Sequence, residues 1–156
     1  MGIGAQADGR FDALIHTGTV TKTRYNYLPE AFITSTMCLY AAESITLEVR
    51  AAHMDMVANT FMRAPGEAVG SFGLESAVDE LAVRIGIDPI ELRIRNEPDN
   101  DPTTGLPFSS RNLVQAYRAE AQRFGWDQRN PTPGARHATG TRVRDLPITL
   151  DKLLLG

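Results

Sequence analysis

The stretch Thr60-Phe61-Met62-Arg63-Ala64-Pro65-Gly66-Glu67, with the pattern after it, decides how this chain reads. An extended, β-like segment passes through a Pro-Gly turn directly into a strongly amphipathic helix. Leu74, Val78, Leu81 and Ile85 recur at steps of four, three and four, which places them on one stripe of that helix. Glu75, Asp79 and Glu80 fall on the other face, Glu80 is spaced to pair with Arg84, and Gly86 is a left-handed cap. The first turn of such a helix leaves backbone N–H groups without an intrahelical acceptor. With the positive end of the helix dipole and the guanidinium of Arg63, they suit an anion or an oxo group. An ordinary strand-to-helix turn carrying a surface arginine fits the same local pattern. Gly66, Gly70 and Gly73 each cost about 1 kcal/mol where helical, so something must approach the backbone there. A packed neighbouring strand accounts for that better than a ligand. No Gly-Lys-Ser/Thr follows, so this is not a phosphate-binding loop.

Working outward, Ala7-Asp8-Gly9-Arg10 predicts a hairpin turn, with Asp-Gly supplying the positive-φ positions. Phe11, Ala13 and Ile15 then alternate with Asp12, Leu14 and His16, as in a half-buried strand. Residues 18–36, with Tyr25, Tyr27 and Phe32 around Pro29, read as irregular and aromatic-anchored. Ile45, Leu47 and Val49 alternate with Thr46, Glu48 and Arg50, a second strand with one wet face whose extended character continues toward Met56. Asp88-Pro89-Ile90-Glu91 is a helix start with Asp88 as N-cap and Pro89 at the first position. Glu97-Pro98-Asp99-Asn100-Asp101-Pro102 is a polar loop. Ser109 or Ser110 caps a further helix with Leu113, Tyr117, Ala121 and Phe124 on its inner face, Gly125 at its end and Trp126 as an anchor on the core. From residue 130 the pattern fails: residues 130–134 read as a linker and residues 146–155 as ending in an exposed apolar tail, with a short helix over residues 150–155, packing on a partner, as the alternative.

The whole chain, 156 residues with 42% apolar and 22% charged, suffices for one domain of ordinary core size. A net charge of −3 without a basic run argues against a nucleic-acid partner. No apolar run approaches the roughly 18 residues that span a bilayer, so no membrane partner is expected. The first residues show neither a basic leader nor an apolar core, so no export signal is read, and both cytoplasm and periplasm remain open. The single cysteine, Cys38, sits among Met37, Leu39 and Tyr40 and reads as a structural thiol. His16, His53 and His137 lack metal-ligand spacing, so no metal ligand is assigned. No Gly-x-Ser-x-Gly elbow is present. Asp79 and Glu80 suit salt bridges better than acid–base catalysis, and Met54 and Met56 suit a core better than a ligand set.

Three linked motifs carry a resemblance: Phe61-Met62-Arg63-Ala64-Pro65-Gly66-Glu67-Ala68, Leu74-Glu75-Ser76-Ala77-Val78-Asp79-Glu80-Leu81-Ala82, and Gly86-Ile87-Asp88-Pro89-Ile90-Glu91-Leu92-Arg93-Ile94-Arg95-Asn96. Gly105-Leu106-Pro107-Phe108-Ser109-Ser110-Arg111-Asn112-Leu113 and Arg123-Phe124-Gly125-Trp126 continue it. Together they resemble the molybdenum-binding large subunit of the xanthine dehydrogenase and aldehyde oxidase family, in the form of its bacterial aldehyde-oxidising branch. The resemblance runs from about residue 8 to residue 133 and implies an α+β fold. That fold is a small β-sheet with about three helices, part of a larger molybdopterin-binding domain. It implies residues 1–130 as a partial molybdopterin-binding domain and residues 131–156 as a linker and divergent tail.

For the parent, the resemblance implies oxidation of aldehydes or N-heterocycles with water as oxygen source. It also implies a molybdopterin-type molybdenum cofactor, and iron–sulfur and FAD subunits or domains as partners. Phe61, Met62, Arg63, Ala64 and Gly66 would lie beside the cofactor, facing its oxygen-rich or pterin edge. The family's glutamate base and its glutamine-containing loop are not found in this sequence, and Glu67 is misplaced to replace the base. No catalytic residue is therefore assigned. The chain is expected to be an internal piece, inactive and without cofactor when isolated. The rival expectation is a non-catalytic structural or binding domain that self-associates.

Overall fold

The computed structural model describes residues 1–25, 28–58 and 60–129. The linker and apolar tail expected from residue 130 onward lie outside the described residues. Contacts divide the chain into two compact units, Met1–Val114 and the residues from Gln115.

The first unit begins with β1 (Gly2–Ala5) and β2 (Phe11–Lys22), antiparallel neighbours joined by the expected hairpin. Gly9 at φ 89° supplies the one positive φ of that turn, its N–H donating to Gln6 O at 2.9 Å. Asp8 contributes through its side chain, accepting from the Arg10 amide at 3.0 Å. Then come α1 (Thr34–Leu39), β3 (Ser44–His53), α2 (Glu67–Ile85) and α3 (Pro89–Arg95). The sheet order is β1-β2-β3, with β2 and β3 parallel, and α1 lies in the connection between them. The result is a small α+β unit, as expected.

The phase of β2 differs from the alternation read in the sequence. Phe11, Leu14 and His16 are buried, whereas Ile15 is 45% exposed. Gly4 pairs with Ala13 and Ala5 with Phe11, so Asp12 is an extra residue on β2. Such a bulge moves every following side chain to the opposite face. In β3 the alternation holds, with Ile45 and Leu47 packed against the core.

The core consists of Phe11, Leu14, Tyr40, Leu74, Val78, Ala82 and Leu92, between β2 and the inner stripe of α2. Leu81 and Ile85 complete that stripe as partly buried residues. Gly86 takes φ 70° and donates to Ala82 O and Val83 O, closing α2 as its sequence predicts. Asp88 caps α3, accepting from Ile90 N at 2.8 Å and Glu91 N at 3.3 Å.

Two polar groups lock α3 in place. Asn96, 3% exposed, accepts from Phe11 N at 2.8 Å and donates to Gly9 O at 2.9 Å and Leu92 O at 2.8 Å, tying the hairpin to the helix end. Arg93 bonds Glu75 at 2.7 Å and Asp79 at 2.9 Å across to α2, and Tyr40 donates to Glu75 at 2.8 Å. Burial works against the Arg93 charge, but Tyr40, Glu75 and Asp79 together outweigh it and raise the Arg93 pKa above its ordinary value. Asp79 thus forms the salt bridge expected of it.

Other expectations change. Among the described residues before the Pro-Gly turn there is no strand past His53, where β3 ends, and Met54 and Met56 are 50% and 47% exposed, outside the core. Helix α4 (Leu113–Phe124) starts too late for Ser109 or Ser110 to sit at its cap. All but its first two residues belong to the second unit. It has no fully buried residue, and Phe124 is 62% exposed. Gly125 ends it at φ 68°, as expected. Within the second unit the Arg129 guanidinium lies 3.5 Å from the Trp126 ring centroid.

Candidate functional site

The bend ahead of α2 is positioned by a relay that starts in β2. His16 is 7% exposed, its Nδ1 lies 2.7 Å from Thr36 Oγ1 in α1, and its ring is 5.0 Å from that of Phe32. Burial, and secondarily the positive amino terminus, holds His16 below the ordinary imidazole pKa. The Phe32 ring also covers Gly18, where an added Cβ would stand 2.7 Å from Cζ. The backbone of residues 31 and 32 is thereby held against the start of α2. A Cβ on Gly66 would come within 2.5 Å of Ala31 C, and one on Gly70 within 1.8 Å of Phe32 O. The close approach inferred from these glycines is therefore protein backbone, from a loop and not from a strand. Gly73, with nothing within 4 Å of its Cβ position, takes no part.

This contact fixes the turn in an uncommon conformation. Ala64 takes φ 56°, the one positive-φ non-glycine among the described residues, and Gly66 takes φ 85°. A left-handed alanine costs roughly 1–2 kcal/mol, and such strain persists only where surrounding structure imposes it. Ala68 N donates to Ala64 O at 3.3 Å and Gly70 N to Gly66 O at 2.7 Å, so the helix winds up directly from the bend. Gly66 as N-cap brings no side-chain acceptor to the first amides.

Of the residues singled out in the sequence, Phe61 is 44% and Met62 81% exposed, and Arg63 and Ala64 are exposed as well. Gly66 is buried against Ala31. Arg63 forms no hydrogen bond or ion pair with the described residues. One further group here was missed by sequence reasoning: Glu67 Oε2 is buried and has no hydrogen-bond partner. Nothing in the sequence marks it, because its burial depends on how the bend folds. Among the described residues no group of three or more His, Cys, Asp or Glu is gathered to hold a metal ion directly. No helix among them is long and apolar enough to cross a membrane.

The bend thus combines a left-handed alanine, a guanidinium with no bonded partner among the described residues and a carboxylate oxygen without a hydrogen bond. Its kinship follows from comparison with known proteins. The family model for the molybdopterin cofactor-binding domain matches residues 1–97. This chain belongs to that family. It is 41% identical over 133 residues, 85% of its length, to the aldehyde oxidoreductase molybdenum-binding subunit PaoC of Escherichia coli K12, and covers 18% of that protein. It is 33% identical over 95 residues, 59% of its length, to the putative xanthine dehydrogenase molybdenum-binding subunit XdhA of the same organism, covering 12% of it. Quinoline 2-oxidoreductase from Pseudomonas putida 86 shares the fold with a TM-score of 0.68 at 20% identity, over 80% of this chain and 17% of that one. Aldehyde oxidoreductase from Desulfovibrio gigas does so with a TM-score of 0.65 at 22% identity, over 83% of this chain and 16% of that one. The chain thus spans under a fifth of the length of these relatives.

The residues at the bend fit a molybdopterin cofactor. Such a group presents oxygen acceptors and a pterin edge rich in N–H donors. Arg63 offers charge-assisted donation to the first, and the orphaned Glu67 Oε2 offers acceptance to the second.

Proposed function

We propose that the chain works as part of a molybdenum hydroxylase large subunit that oxidises aldehydes or N-heterocycles. Iron–sulfur and FAD subunits or domains would take the electrons. The observation that carries this reading is the 41% identity to an aldehyde oxidoreductase molybdenum-binding subunit across 85% of the chain. The reading also takes residues 1–130 as a partial molybdopterin-binding domain. When bound, the cofactor supplies the oxidative chemistry, with water as the oxygen source.

The chain's own contribution is positional and electrostatic. Phe61, Met62, Arg63 and Ala64 line the cofactor's edge, and Gly66, buried against Ala31, sets the turn that presents them. Arg63 stabilises negative charge there, and the rigid turn holds that donor in place without reorganisation. Phe61 and Met62 are apolar and exposed, and in the complete subunit they would shield the cofactor from water. The remaining segments that hold the cofactor lie in other parts of the subunit. The purified 156-residue chain is accordingly expected to carry no molybdopterin and to show no oxidase activity.

The test is Arg63→Met in the complete subunit, read by turnover and by molybdenum and pterin content. Removing one preorganised donor should lower turnover by about a hundredfold. Turnover and cofactor content both equal to wild type would refute the role. A second reading, a non-catalytic domain that self-associates, draws on the exposed side chains of Val69 (61%) and Phe72 (71%) on α2. A concentration-dependent dimer of the isolated chain, with the Arg63→Met subunit fully active, would favour it.

A further inference from the structure

Strand β3 is the outer strand of the sheet, since the order β1-β2-β3 leaves its far side without a strand partner among the described residues. An unpaired edge offers a row of backbone N–H and C=O groups to another strand, and proteins commonly blunt such edges. The opposite edge is blunted: β1 is short, contains Gly2 and Gly4, and shifts register between Gly4 and Ala5. β3 has none of these devices. From Ser44 to His53 it contains no proline, glycine or lysine, and it runs in unbroken register with β2. Its two charges, Glu48 and Arg50, are of opposite sign, with Arg50 donating to Glu48 at 2.8 and 2.7 Å.

Those two charges say what fits beside them. Alternation along the strand sends Glu48 and Arg50 out of one face, away from Ile45 and Leu47, which pack on the core. Their side chains are 44% and 68% exposed. When a second β3 is laid antiparallel with Val49 opposite Val49, Glu48 of each copy comes opposite Arg50 of the other. The four groups then alternate in sign around the axis, so each keeps the partner it has and gains another. Leu47 comes opposite Ala51 and Thr46 opposite Ala52, and no like charges meet. Moving the axis one residue, to Glu48 or to Arg50, sets like charges face to face, and so does parallel pairing in register. The strand is therefore charge-complementary to itself in one antiparallel register.

We propose that two copies of this chain associate through the unpaired edge of β3, antiparallel about a twofold axis at Val49. Main-chain hydrogen bonds between the strands supply the affinity, and the Glu48 and Arg50 quartet sets the register. The two sheets join into one, β1-β2-β3 followed by β3-β2-β1 of the second copy. The axis is normal to the sheet, so α2 of both copies lies on the same face. Closure of this kind leaves no β3 edge open to a third copy. The surface is different from that of Val69 and Phe72, and the inference does not depend on the cofactor reading.

The experiment measures the monomer–dimer equilibrium of the full 156-residue chain by sedimentation velocity over a concentration series. Wild type should dimerise, and more weakly as salt is added. Glu48→Arg makes both charges positive and Arg50→Glu makes both negative. Each variant alone should dimerise about ten- to thirtyfold more weakly, because both symmetry-related pairs turn repulsive. An equimolar mixture of the two should recover a heterodimer, which misfolded variants could not do. The double exchange, Glu48→Arg with Arg50→Glu, should dimerise as wild type does. A wild-type chain that stays monomeric, or that builds open-ended assemblies, would overturn the proposal. So would single variants that dimerise as wild type, a mixture without recovery, or a dimer that only Phe72→Ser abolishes.

Discussion

Two glycines three residues apart in α2 should respond to the same substitution with opposite signs. Gly70→Ala would place a Cβ 1.8 Å from Phe32 O, whereas ordinary C···O contacts lie at about 3.3 Å. The helix and the backbone of residue 32 would have to part by about 1.5 Å. Phe32 cannot yield easily, because its ring is wedged between Gly18 and His16. Overpacking of this kind costs about 1–3 kcal/mol or more, against about 1 kcal/mol regained in helix propensity. Gly73→Ala meets nothing within 4 Å and should collect the propensity gain alone. Relative to wild type, Gly70→Ala is expected to lose up to about 2 kcal/mol or more and Gly73→Ala to gain about 0.5–1 kcal/mol. Urea unfolding of the isolated chain, followed by far-UV circular dichroism, reads both. The same sign and size for the two variants would show that the loop of residues 31 and 32 does not clamp the helix start. The site geometry would then lose its support.

Two further outcomes follow from buried polar groups. Asn96→Ala strands the buried Phe11 N–H and Gly9 C=O, and should cost about 2–4 kcal/mol in the same unfolding assay, with a loss below about 1 kcal/mol contradicting its bracing role. His16 has a folded-state pKa below its unfolded value, so its stabilising contribution is complete above about pH 6.5 and declines as pH falls through that value toward the folded pKa. His16→Gln keeps a partner for Thr36 without titrating, and its stability should vary less between pH 7 and pH 5 than wild type (pH values chosen to bracket about 6.5). An identical pH profile in the two proteins would remove His16 from the account.

Much of the fold was legible because it is encoded locally. Asp88 and Pro89 announce α3, Gly86 announces the end of α2, and Asp8-Gly9 announces the hairpin, each through backbone chemistry confined to a few residues. What the sequence hid was set at a distance. The bulge at Asp12 inverts the faces of β2, and no alternation count can detect it without the partner strand. Helix α1 is six residues long, too short to show a period, and its segment read as irregular. Gly66, Gly70 and Gly73 look equivalent in sequence, yet only the first two meet the 31–32 backbone. The bend itself was found from its Arg-Ala-Pro-Gly motif. The left-handed Ala64 and the orphaned Glu67 Oε2 needed coordinates, since each arises from how the turn docks on a loop more than thirty residues earlier.

The central claim is that the bend from Phe61 to Gly66 faces a molybdenum cofactor held jointly with the rest of a larger subunit. The most direct measurement is a crystal structure of the complete subunit with anomalous diffraction collected across the molybdenum edge. The account predicts a molybdenum peak in a pocket walled by Phe61, with the Arg63 guanidinium turned toward it and Glu67 bonded to the pterin. A molybdenum peak on the far side of the sheet, with Arg63 facing bulk solvent, would contradict it.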